Sequence, residues 1–322
     1  ELLEAASALV LAHITALPGV EMWCGTSLDT LQYLDGTSIL TLSHEPEVAQ
    51  RTSRLRTENL VLNLGGQTLL FKTDAIVEDI HFERDTPPEQ IGRKALARAL
   101  SDIAAMAGTP THALVTLGRC ENHDPEHLVK IYDGLKSHAA EHAVNIVGGE
   151  VTTLPKLTLS ISLLGTVGKP ILRSGSQTGD ALFVSGELGG SLAEHHLTFE
   201  PRLAEARWLA QTFDIHAMID LSDGLATDLR HLLSENIGAE LRSPAIPISR
   251  AAKLAAKENP SSKTALLAAL TDGEDYELLF TVSPKDAVAV LDGWKAQFPD
   301  TPLHCIGKIT NTRGITLRDE KS

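Results

Sequence analysis

Two short apolar segments joined by a pair of glycines restrict the fold of this chain more than any other feature. Residues 60–64 and residues 68–72 are both rich in apolar side chains, and Gly65-Gly66 lies between them. Two extended segments with a glycine-containing turn between them are typical of a β-hairpin, because glycine tolerates the positive φ angles of a tight turn. The sequence therefore predicts an antiparallel strand pair here, and a sheet that is not purely parallel.

Beyond the hairpin, helical and strand-like patterns follow one another without a regular β–α–β alternation. Apolar spacing predicts helices over residues 87–107 and 125–143, and a strand over residues 157–167. The Gly-Lys-Pro stretch that follows is typical of a domain boundary. We therefore expect an α+β fold with two domains, residues 1–168 and 169–322, rather than a doubly wound sheet.

The charge of the chain excludes several classes of partner. The 322 residues include 42 acidic and 28 basic ones, a formal net charge of −14, and aromatic residues make up only 4%. A surface of this sign repels nucleic acid and anionic membrane, and the scarcity of aromatic rings disfavours a platform for stacked bases. We expect no nucleic-acid partner, although an acidic protein can still bind phosphate groups through metal ions.

The cysteines and the apolar segments indicate a cytoplasmic protein. Cys24, Cys120 and Cys305 are far apart and form no Cys-x-x-Cys motif, as expected for reduced thiols rather than for disulfides or a zinc site. No apolar run approaches the ~20 residues that span a membrane. Residues 1–17 have the pattern of an amphipathic helix rather than of a secretory signal. We therefore expect a cytoplasmic location and no membrane association.

Acidic residues recur at the predicted ends of strands and helices. Carboxylates in such positions can converge on one cleft, and Mg²⁺ prefers hard oxygen ligands of this kind. The segments concerned are Thr73-Asp74, Ser101-Asp102, Gly149-Glu150, Asp220-Leu-Ser-Asp223-Gly224 and Gly273-Glu274-Asp275-Tyr276-Glu277.

Most of these segments also have an ordinary structural interpretation. Asp74, directly after an apolar strand pattern, suits a turn or a helix cap. Asp102 follows Arg98 and Lys94 at intervals of four residues, which is typical of a solvent-exposed row of ion pairs on a helix. The glycines before Glu150 suit a tight turn as well as a close approach to phosphate. Taken singly, none of them decides the function.

A short acidic segment predicted to join a strand to a helix is the strongest single motif. Asp220 and Asp223 are spaced so that both can point into one pocket, and Ser222 is a natural N-cap for a helix predicted over residues 222–234. Arg173 offers a planar fork of donors that suits a phosphate, although a surface ion pair explains it as well.

Familiar nucleotide-binding and nucleophile motifs are absent from the sequence. It contains neither GxxxxGK[ST] nor a GxGxxG that follows a strand, so a bound nucleotide would be held by neither a P-loop nor a Rossmann turn. It also contains no GxSxG and no HExxH. His81, taken alone, is more typical of a core or sheet-edge histidine than of a ligand.

Taken together and in order, six motifs resemble those of the thiamine-monophosphate kinase family. Three lie in the N-terminal half: KTDAIVEDIHF at residues 72–82, ALSDIAAM at residues 99–106 and VGGE at residues 147–150. Three lie in the C-terminal half: LRSGSQTGD at residues 172–180, AMIDLSDGL at residues 217–225 and GEDYELLF at residues 273–280. Six motifs in one order are far more specific than any one of them.

This resemblance implies a fold and a reaction. The family belongs to the aminoimidazole-ribonucleotide-synthetase superfamily of two-domain, ATP-dependent enzymes, which are usually homodimers. The implied architecture is an N-terminal mixed α/β domain with an antiparallel sheet, which binds ATP and Mg²⁺ and dimerises, and a C-terminal α/β domain. The implied reaction transfers the γ-phosphoryl group of ATP directly to thiamine monophosphate and yields thiamine diphosphate.

The resemblance also implies a set of site residues. The implied Mg²⁺ ligands are Thr73, Asp74, Asp102, Glu150, Asp220 and Asp223, and the implied catalytic residues are Asp102 and Asp223. The residues implied to contact ATP are Gly149, Arg173 and Ser222. Those implied to contact thiamine monophosphate are His81 and Glu274.

The sequence departs from the family pattern at two positions of interest. The family carries a Gly-Asp-Asp-Ala-Ala-Val segment before the hairpin, where residues 56–61 read Arg-Thr-Glu-Asn-Leu-Val, so Glu58 is the residue that would replace its metal-binding aspartate. The family's usual glycine two residues before His81 is Asp79 here. Two alternatives stay open: an ATP-dependent enzyme of the same superfamily with a different acceptor, and a nucleotide-binding homologue that has lost catalysis.

Overall fold

A computed structural model describes the larger part of the chain. It covers residues 60–319 except residues 65, 122, 194, 260 and 262, together with the backbone of three short strands: β1 (Val20–Trp23), β2 (Leu31–Leu34) and β3 (Thr37–Leu40). The N-terminal helix predicted over residues 1–17 and the metal ligand predicted at Glu58 lie outside the described residues.

The first sheet has six strands in the order β1-β4-β5-β8-β6-β7. All neighbours are antiparallel except β6 and β7, which are parallel. The predicted hairpin is present, because β4 and β5 pair across a turn in which Gly66 has a φ of 83°. The bounds are β4 (Leu60–Leu64), β5 (Gln67–Val77), β6 (Thr109–Arg119), β7 (Asn145–Thr153) and β8 (Thr158–Val167).

Two helices, α1 (Pro88–Ala105) and α2 (Pro125–Glu141), belong to the first domain. Both begin with proline at the first helical position, where the missing N–H is not needed. The helices approach each other at glycines. A methyl group on Gly134 would lie 1.9 Å from the carbonyl oxygen of Glu89, and one on Gly92 would lie 1.8 Å from that of Ile131.

The second sheet also has six strands, in the order β10-β12-β9-β13-β11-β14, and only β11 and β14 are parallel. The two sheets thus have the same sequence of strand directions. The bounds are β9 (Ala181–Ser185), β10 (Ile215–Asp220), β11 (Gly238–Arg242), β12 (Leu278–Val282), β13 (Leu303–Thr310) and β14 (Gly314–Arg318).

Six helices accompany the second sheet: α3 (His195–Thr198), α4 (Leu203–Thr212), α5 (Leu225–Leu232), α6 (Arg250–Glu258), α7 (Ala265–Thr271) and α8 (Ala287–Gln297). Short 3₁₀ turns cover Ser191–Ala193 and Ser243–Ala245. Mixed sheets with helices in both halves make this the predicted two-domain α+β fold.

Helix α1 is the element that connects the two halves. Its apolar residue Leu100 belongs to the same buried cluster as Leu70 of the first sheet and Phe183 of the second. Its polar side chains reach the second half as well, since Ser101 contacts Asp220. The residues of α1 therefore occupy the boundary at which a site between the two halves can form.

The structure corrects three local predictions. Asp74 lies within β5, paired with Ile161 of β8, and not in a turn after the strand. The helix predicted from Ser222 begins three residues later, and its N-cap position is occupied by Gly224 with no side-chain cap. The loop geometry explains this, because Asp228 accepts a hydrogen bond from the backbone of Asp223 and orders the turn before the helix.

The third correction concerns the row formed by Lys94, Arg98 and Asp102 on α1. This row is not solvent-exposed: Lys94 and Asp102 are buried, and the Arg98 side chain is only 15% exposed. Strand β5 and the second domain cover that side of the helix. Four-residue spacing identifies residues on one side of a helix, but not whether that side faces water.

Within the part of the chain that the structure describes, none of the helices combines the length and the apolar character that crossing a lipid bilayer requires.

Candidate functional site

The charges of three carboxylates from three different elements act on the ammonium group of Lys72. Lys72 and Asp74 are two residues apart in β5, so both side chains lie on the face of the sheet toward α1. Lys72 Nζ lies 2.8 Å from Asp102 Oδ2. Asp220, the last residue of β10, accepts a hydrogen bond of 2.6 Å from Ser101 Oγ. We call Asp74, Asp102 and Asp220 the acidic cluster. It joins β5, α1 and the second sheet.

The electrostatics of the acidic cluster favour a cation. Burial by itself lowers the pKa of Lys72, but the carboxylates of Asp102 and Asp74 outweigh burial and leave this pKa above its usual value. Burial raises the pKa of Asp220, while the Ser101 hydrogen bond and the Lys72 charge act in the opposite direction. A lysine whose charged form is stabilised despite desolvation indicates a strongly negative local potential.

A second network is centred on Lys94, whose side chain is fully buried. Its Nζ donates to the carbonyl oxygen of His81 at 2.6 Å and to Glu274 Oε2 at 2.8 Å, and it lies 2.6 Å from His196 Nδ1. Two of the three ammonium protons thus have oxygen acceptors. Lys94 therefore ties the loop after β5 to two segments of the second domain, and we call these four residues the Lys94 network.

Glu274 is held in an uncommon backbone conformation. Its φ is 63° and that of Tyr276 is 51°, in the left-handed region that non-glycine residues rarely adopt. Two backbone hydrogen bonds hold the segment, from Glu274 N to Ser222 O and from Tyr276 N to Leu221 O, both 2.8 Å long. The GEDYELLF segment is thus fastened to the loop that follows Asp220.

The charge of Glu274 is fixed by its partners. Burial by itself raises the pKa of this carboxyl, but the hydrogen bond to His196 and the charge of Lys94 lower it to about 2. Glu274 is therefore ionised at every physiological pH. A carboxylate that stays charged in a partly buried position suits recognition of a cationic group.

His81, which belongs to the Lys94 network through its carbonyl oxygen, lies on a turn that contains a residue in the left-handed conformation. Asp79 has a φ of 62°, in the left-handed region that favours glycine. His81 Nδ1 accepts a hydrogen bond of 3.1 Å from Val77 N, so the proton of the neutral ring is on Nε2. Burial and the charge of Arg98 lower the pKa of His81. The imidazole is therefore a neutral donor at its outer nitrogen.

The charges of Arg173 and Asp223 both act on His231. Burial and the charge of Arg173 lower the pKa of His231, and the charge of Asp223 opposes them only in part. The segment that carries Arg173 runs against β10, since Leu172 O accepts a hydrogen bond from Met218 N at 3.1 Å. This places the Arg173 segment next to the strand that ends at Asp220.

Thr73 and Glu150 are not brought to the acidic cluster. Thr73 alternates with Asp74, so its side chain is on the other face of the sheet, where its hydroxyl accepts a hydrogen bond of 3.3 Å from Ser162. Glu150 lies on β7, paired with Thr116 of β6, and β6 and β8 separate it from β5. At ~4.8 Å between adjacent strands, three steps amount to about 14 Å.

Gly149 and Glu150 line a different feature, an open groove of about 470 Å³ between β7 and Tyr132 of α2. Gly149 has a φ of 154°, and a methyl group on it would lie 1.8 Å from the carbonyl oxygen of Val115. Glycine is required here because the two parallel strands approach closely. This requirement is structural and does not depend on a ligand.

Sequence reasoning did not single out Lys72 or His196, and it assigned Lys94 to a solvent-exposed row. A signal for Lys72 was present: it lies two residues before Asp74 in a strand, which places both on one face. No comparable signal exists for His196, because its partners Lys94 and Glu274 are 102 and 78 positions away in the sequence. Such contacts arise only when the domains pack.

A buried aspartate next to this site leads to a prediction about pH and stability. Asp275 Oδ1 accepts hydrogen bonds from Gly189 N at 3.0 Å and from Ser191 Oγ at 2.5 Å. Its Oδ2 is buried and has no hydrogen-bond partner within the described ranges. Burial raises the pKa of Asp275 to about 7, and the two hydrogen bonds only partly oppose this.

We expect Asp275→Asn to gain stability relative to the wild type as the pH rises from 4 to 8. The folded carboxyl keeps its proton up to about pH 7, whereas the unfolded one loses it near pH ~4, so this group's contribution to stability falls between those values. The asparagine variant does not titrate. Its free energy of unfolding relative to the wild type should therefore improve by about 2–4 kcal/mol over this range.

Urea unfolding of both proteins at pH 5 and pH 8 measures this difference, with the exposed Asp214→Asn as a control for general charge effects. A difference between Asp275→Asn and the wild type that does not change with pH would show that Asp275 is ionised in the folded protein.

Comparison with known proteins identifies relatives over most of the chain. Residues 57–167 match the model of the AIR synthase related protein N-terminal domain, and residues 171–320 match that of the AIR synthase related protein C-terminal domain. A thiamine-monophosphate kinase of Rhodopirellula baltica is 42% identical over 251 residues, which is 76% of this chain and 77% of the relative. That of Aquifex aeolicus is 33% identical over 273 residues, 79% of this chain and 85% of the relative.

A solved structure, AaThiL complexed with AMPPCP and TMP, has the same fold. It superposes with a TM-score of 0.73 at 27% sequence identity, covering 84% of this chain and 91% of that one. The relatives match across both sheets, and the six motifs of the sequence analysis fall inside the matched ranges.

Proposed function

Because this chain belongs to the thiamine-monophosphate kinase family of AIR synthase related proteins, we propose that it phosphorylates thiamine monophosphate. The γ-phosphoryl group of ATP is transferred in line to the terminal phosphate oxygen of the acceptor, which yields thiamine diphosphate and ADP. The bond between the γ-phosphorus of ATP and the β,γ-bridging oxygen breaks as the new P–O bond forms, and that oxygen leaves with ADP. The Rhodopirellula baltica and Aquifex aeolicus relatives are kinases of this substrate by name.

The observation that carries this proposal is the acidic cluster at the junction of the two domains. Two phosphate groups repel each other, and a protein can bring them together only by neutralising that charge. Three carboxylates collected around one lysine are suited to bind metal ions, which then bind phosphates. The arrangement also explains how an acidic protein can act on two anionic substrates.

The donor chemistry of the cluster fits Mg²⁺. Asp74, Asp102 and Asp220 offer only oxygen ligands, and the raised pKa of Lys72 indicates that their potential stabilises positive charge. We propose that these three residues hold the ion and that Asp223 contributes from the adjoining loop. When bound, Mg²⁺ neutralises and orients the phosphate groups. For Thr73, Glu150 and Glu58 the resemblance is the support for a metal-binding role.

The protein's own cations have a complementary role in this mechanism. Lys72 pairs with Asp102 in the acidic cluster, and its ammonium group would be placed to bind a phosphate oxygen there. Arg173 offers a fork of donors suited to phosphate. We propose that Arg173, Ser222 and Gly149 bind ATP, since all three belong to motifs shared with the family.

The acceptor is recognised, in this proposal, by Glu274 and His81. Thiamine carries a permanently positive thiazolium ring, and Glu274 is a carboxylate whose pKa is lowered to about 2. His81 supplies a neutral N–H donor at Nε2. Both are held by the Lys94 network, which fixes their positions before the substrate arrives.

The deciding experiment is a coupled ADP-release assay with Mg-ATP, with and without thiamine monophosphate, in which the product is identified by chromatography. Formation of thiamine diphosphate together with ADP is the expected result. ADP release with another phosphate or carboxylate acceptor, and none with thiamine monophosphate, would assign the chain a different substrate. Binding of ATP without any turnover would identify a homologue that has lost catalysis.

We also propose that the protein is a homodimer that associates through the first sheet and acts in the cytoplasm. Strand β7 ends this sheet, and Leu114, Val147 and Val151 on β6 and β7 are exposed apolar side chains. Exposed apolar side chains next to a sheet edge are suited to association with a second copy. Sedimentation equilibrium should give twice the chain mass, and Val151→Lys should reduce it to the monomer mass. Recovery of the protein with the soluble cell fraction tests the location.

A further inference from the structure

A group of imidazole and carboxylate side chains lies at the C-terminal end of α2, on an element that carries none of the proposed site residues. His138, Glu141 and His142 each offer one potential ligand atom, and these atoms lie within 4.8 Å of one another. Positions i, i+3 and i+4 share one side of a helix, which is a spacing that metal-binding helices use. The group plays no part in the proposed kinase mechanism.

The histidines of this group have nitrogens that the protein leaves unsatisfied. The His138 side chain is 1% exposed, and its Nε2 has no hydrogen-bond partner in the described part of the chain. The same holds for His142 Nε2. The two rings are nearly perpendicular, with centroids 4.5 Å apart. A buried nitrogen without a partner is costly, and two of them in adjacent rings point to a bound group.

The tautomer of His138 is the one that a metal requires. Its Nδ1 lies 2.9 Å from Glu141 Oε2, so Nδ1 carries the proton and Nε2 has a free lone pair. A carboxylate that orients an imidazole in this way is the usual outer partner of a metal-bound histidine. Burial also lowers the pKa of His138 to about 4, which keeps the ring neutral at physiological pH.

A further carboxylate, that of Glu200 in the second domain, lies next to His142 and outside the set of atoms within 4.8 Å of one another. Glu200 Oε2 lies 3.9 Å from His142 Nε2, while its Oε1 pairs with Arg93 of α1. Arg93 and Arg207 are the cations that face the histidines. Arg93 is neutralised by Glu200 and also donates to Leu197 O at 3.3 Å. The carboxylates of Glu141 and Glu200 balance the guanidinium groups of Arg93 and Arg207, so the surroundings of the histidines carry no net positive charge to oppose a divalent ion.

We propose that His138, His142 and Glu200 form a binding site for a divalent transition-metal ion of the zinc class, with Glu141 orienting His138. Imidazole ligands select such ions over Mg²⁺, which prefers oxygen. The bound ion links the end of α2 to the segment before α4 and so fastens the first domain to the second. The proposal concerns binding alone and does not depend on the identity of the kinase substrate.

Co²⁺ and Zn²⁺ are the probes for this site, added to untagged, EDTA-treated protein in excess Mg²⁺ so that the acidic cluster is occupied. We expect one Co²⁺ per chain, with the visible absorption of an imidazole-ligated ion, displaced by one Zn²⁺. Zinc should bind with a Kd below about 10 μM in calorimetry. At a hundredfold excess over Kd it should raise the Tm by several degrees.

The variants His142→Gln and Glu200→Gln should each weaken Zn²⁺ binding at least tenfold, and Glu141→Gln should weaken it by about tenfold through the orientation of His138. His127→Gln is the matched control, because His123 and His127 form another pair of rings four residues apart, with centroids at 4.9 Å. His142 and Glu200 are partly exposed, so these variants are expected to fold. No bound Co²⁺ in excess Mg²⁺, or a Zn²⁺ affinity unchanged in His142→Gln and Glu200→Gln, overturns the proposal.

Discussion

Replacing Asp102 by asparagine is expected to lower kcat by about a thousandfold or more, because the variant loses a charged oxygen ligand at the centre of the acidic cluster. Asparagine has almost the same shape as aspartate and keeps one oxygen acceptor, so the side chain can still pack between α1, which carries it, and the neighbouring strand β5. Lys72 retains Asp74 and Asp220 as neighbouring charges. The effect should therefore fall on turnover and not on folding.

The measurement is steady-state ADP release with saturating Mg-ATP and thiamine monophosphate, together with thermal unfolding of the same preparations. The exposed Asp133→Asn on α2 serves as the matched control and should have wild-type kcat. An Asp102→Asn enzyme with undiminished activity would exclude Asp102 as a metal ligand. A large drop in Tm would instead assign Asp102 a structural role through its ion pair with Lys72.

The second large effect is expected for Lys94→Met, which removes the ammonium group at the centre of the Lys94 network. Glu274 and His196 lose a partner, and the loop that carries His81 loses its attachment to α1. We expect the KM for thiamine monophosphate to rise by about tenfold to a hundredfold, while the KM for ATP changes little. Burying a carboxylate without its cation should also cost about 2–4 kcal/mol of stability.

A change in pH dependence would separate positioning of Glu274 from a general loss of structure. In the wild type the pKa of Glu274 is about 2, because His196 and Lys94 outweigh its burial. Without Lys94 this pKa rises, so binding of thiamine monophosphate should weaken as the pH falls toward 5 in the variant but not in the wild type. Inhibition or binding curves at pH 5, 6 and 8 measure it.

A double-mutant cycle gives the sharper test. If Lys94 acts through Glu274, the KM for thiamine monophosphate in Lys94→Met/Glu274→Gln should be close to that of Glu274→Gln alone. Lys94→Arg should restore part of the affinity, since it keeps the charge. Additive effects in the double variant, or an equal rise of the KM for ATP, would assign Lys94 to packing rather than to the acceptor site.

Local patterns in the sequence determined much of the secondary structure. The helices α1 and α2 were predicted within two residues of their observed ends, and the hairpin turn at Gly66 was placed correctly, because glycine turns and helical spacing are properties of neighbouring residues. The second hairpin strand, predicted over residues 68–72, continues to Val77. Strand β6 (Thr109–Arg119) was not assigned. The Gly-x-Pro stretch at its start reads as a helix stop, and nothing local shows that β8 and β7 pair with it on both sides.

Motif order determined the family, since six short segments in one sequence specify relatives that any single segment leaves open. The roles of the individual site residues remain predictions, and the structure bears on how they can combine. It gathers Asp74, Asp102 and Asp220 around Lys72. It separates Thr73 from Asp74 because adjacent residues of a strand face opposite sides of a sheet.

The sequence by itself thus determined the helices α1 and α2, the hairpin turn and the family. The tertiary structure alone decided which charges are buried and which meet. Lys94 fits a solvent-exposed row by its spacing, yet it is fully buried, because the second domain covers that side of α1. Spacing along a helix or strand fixes direction relative to the element, whereas burial and partners depend on residues a hundred positions away.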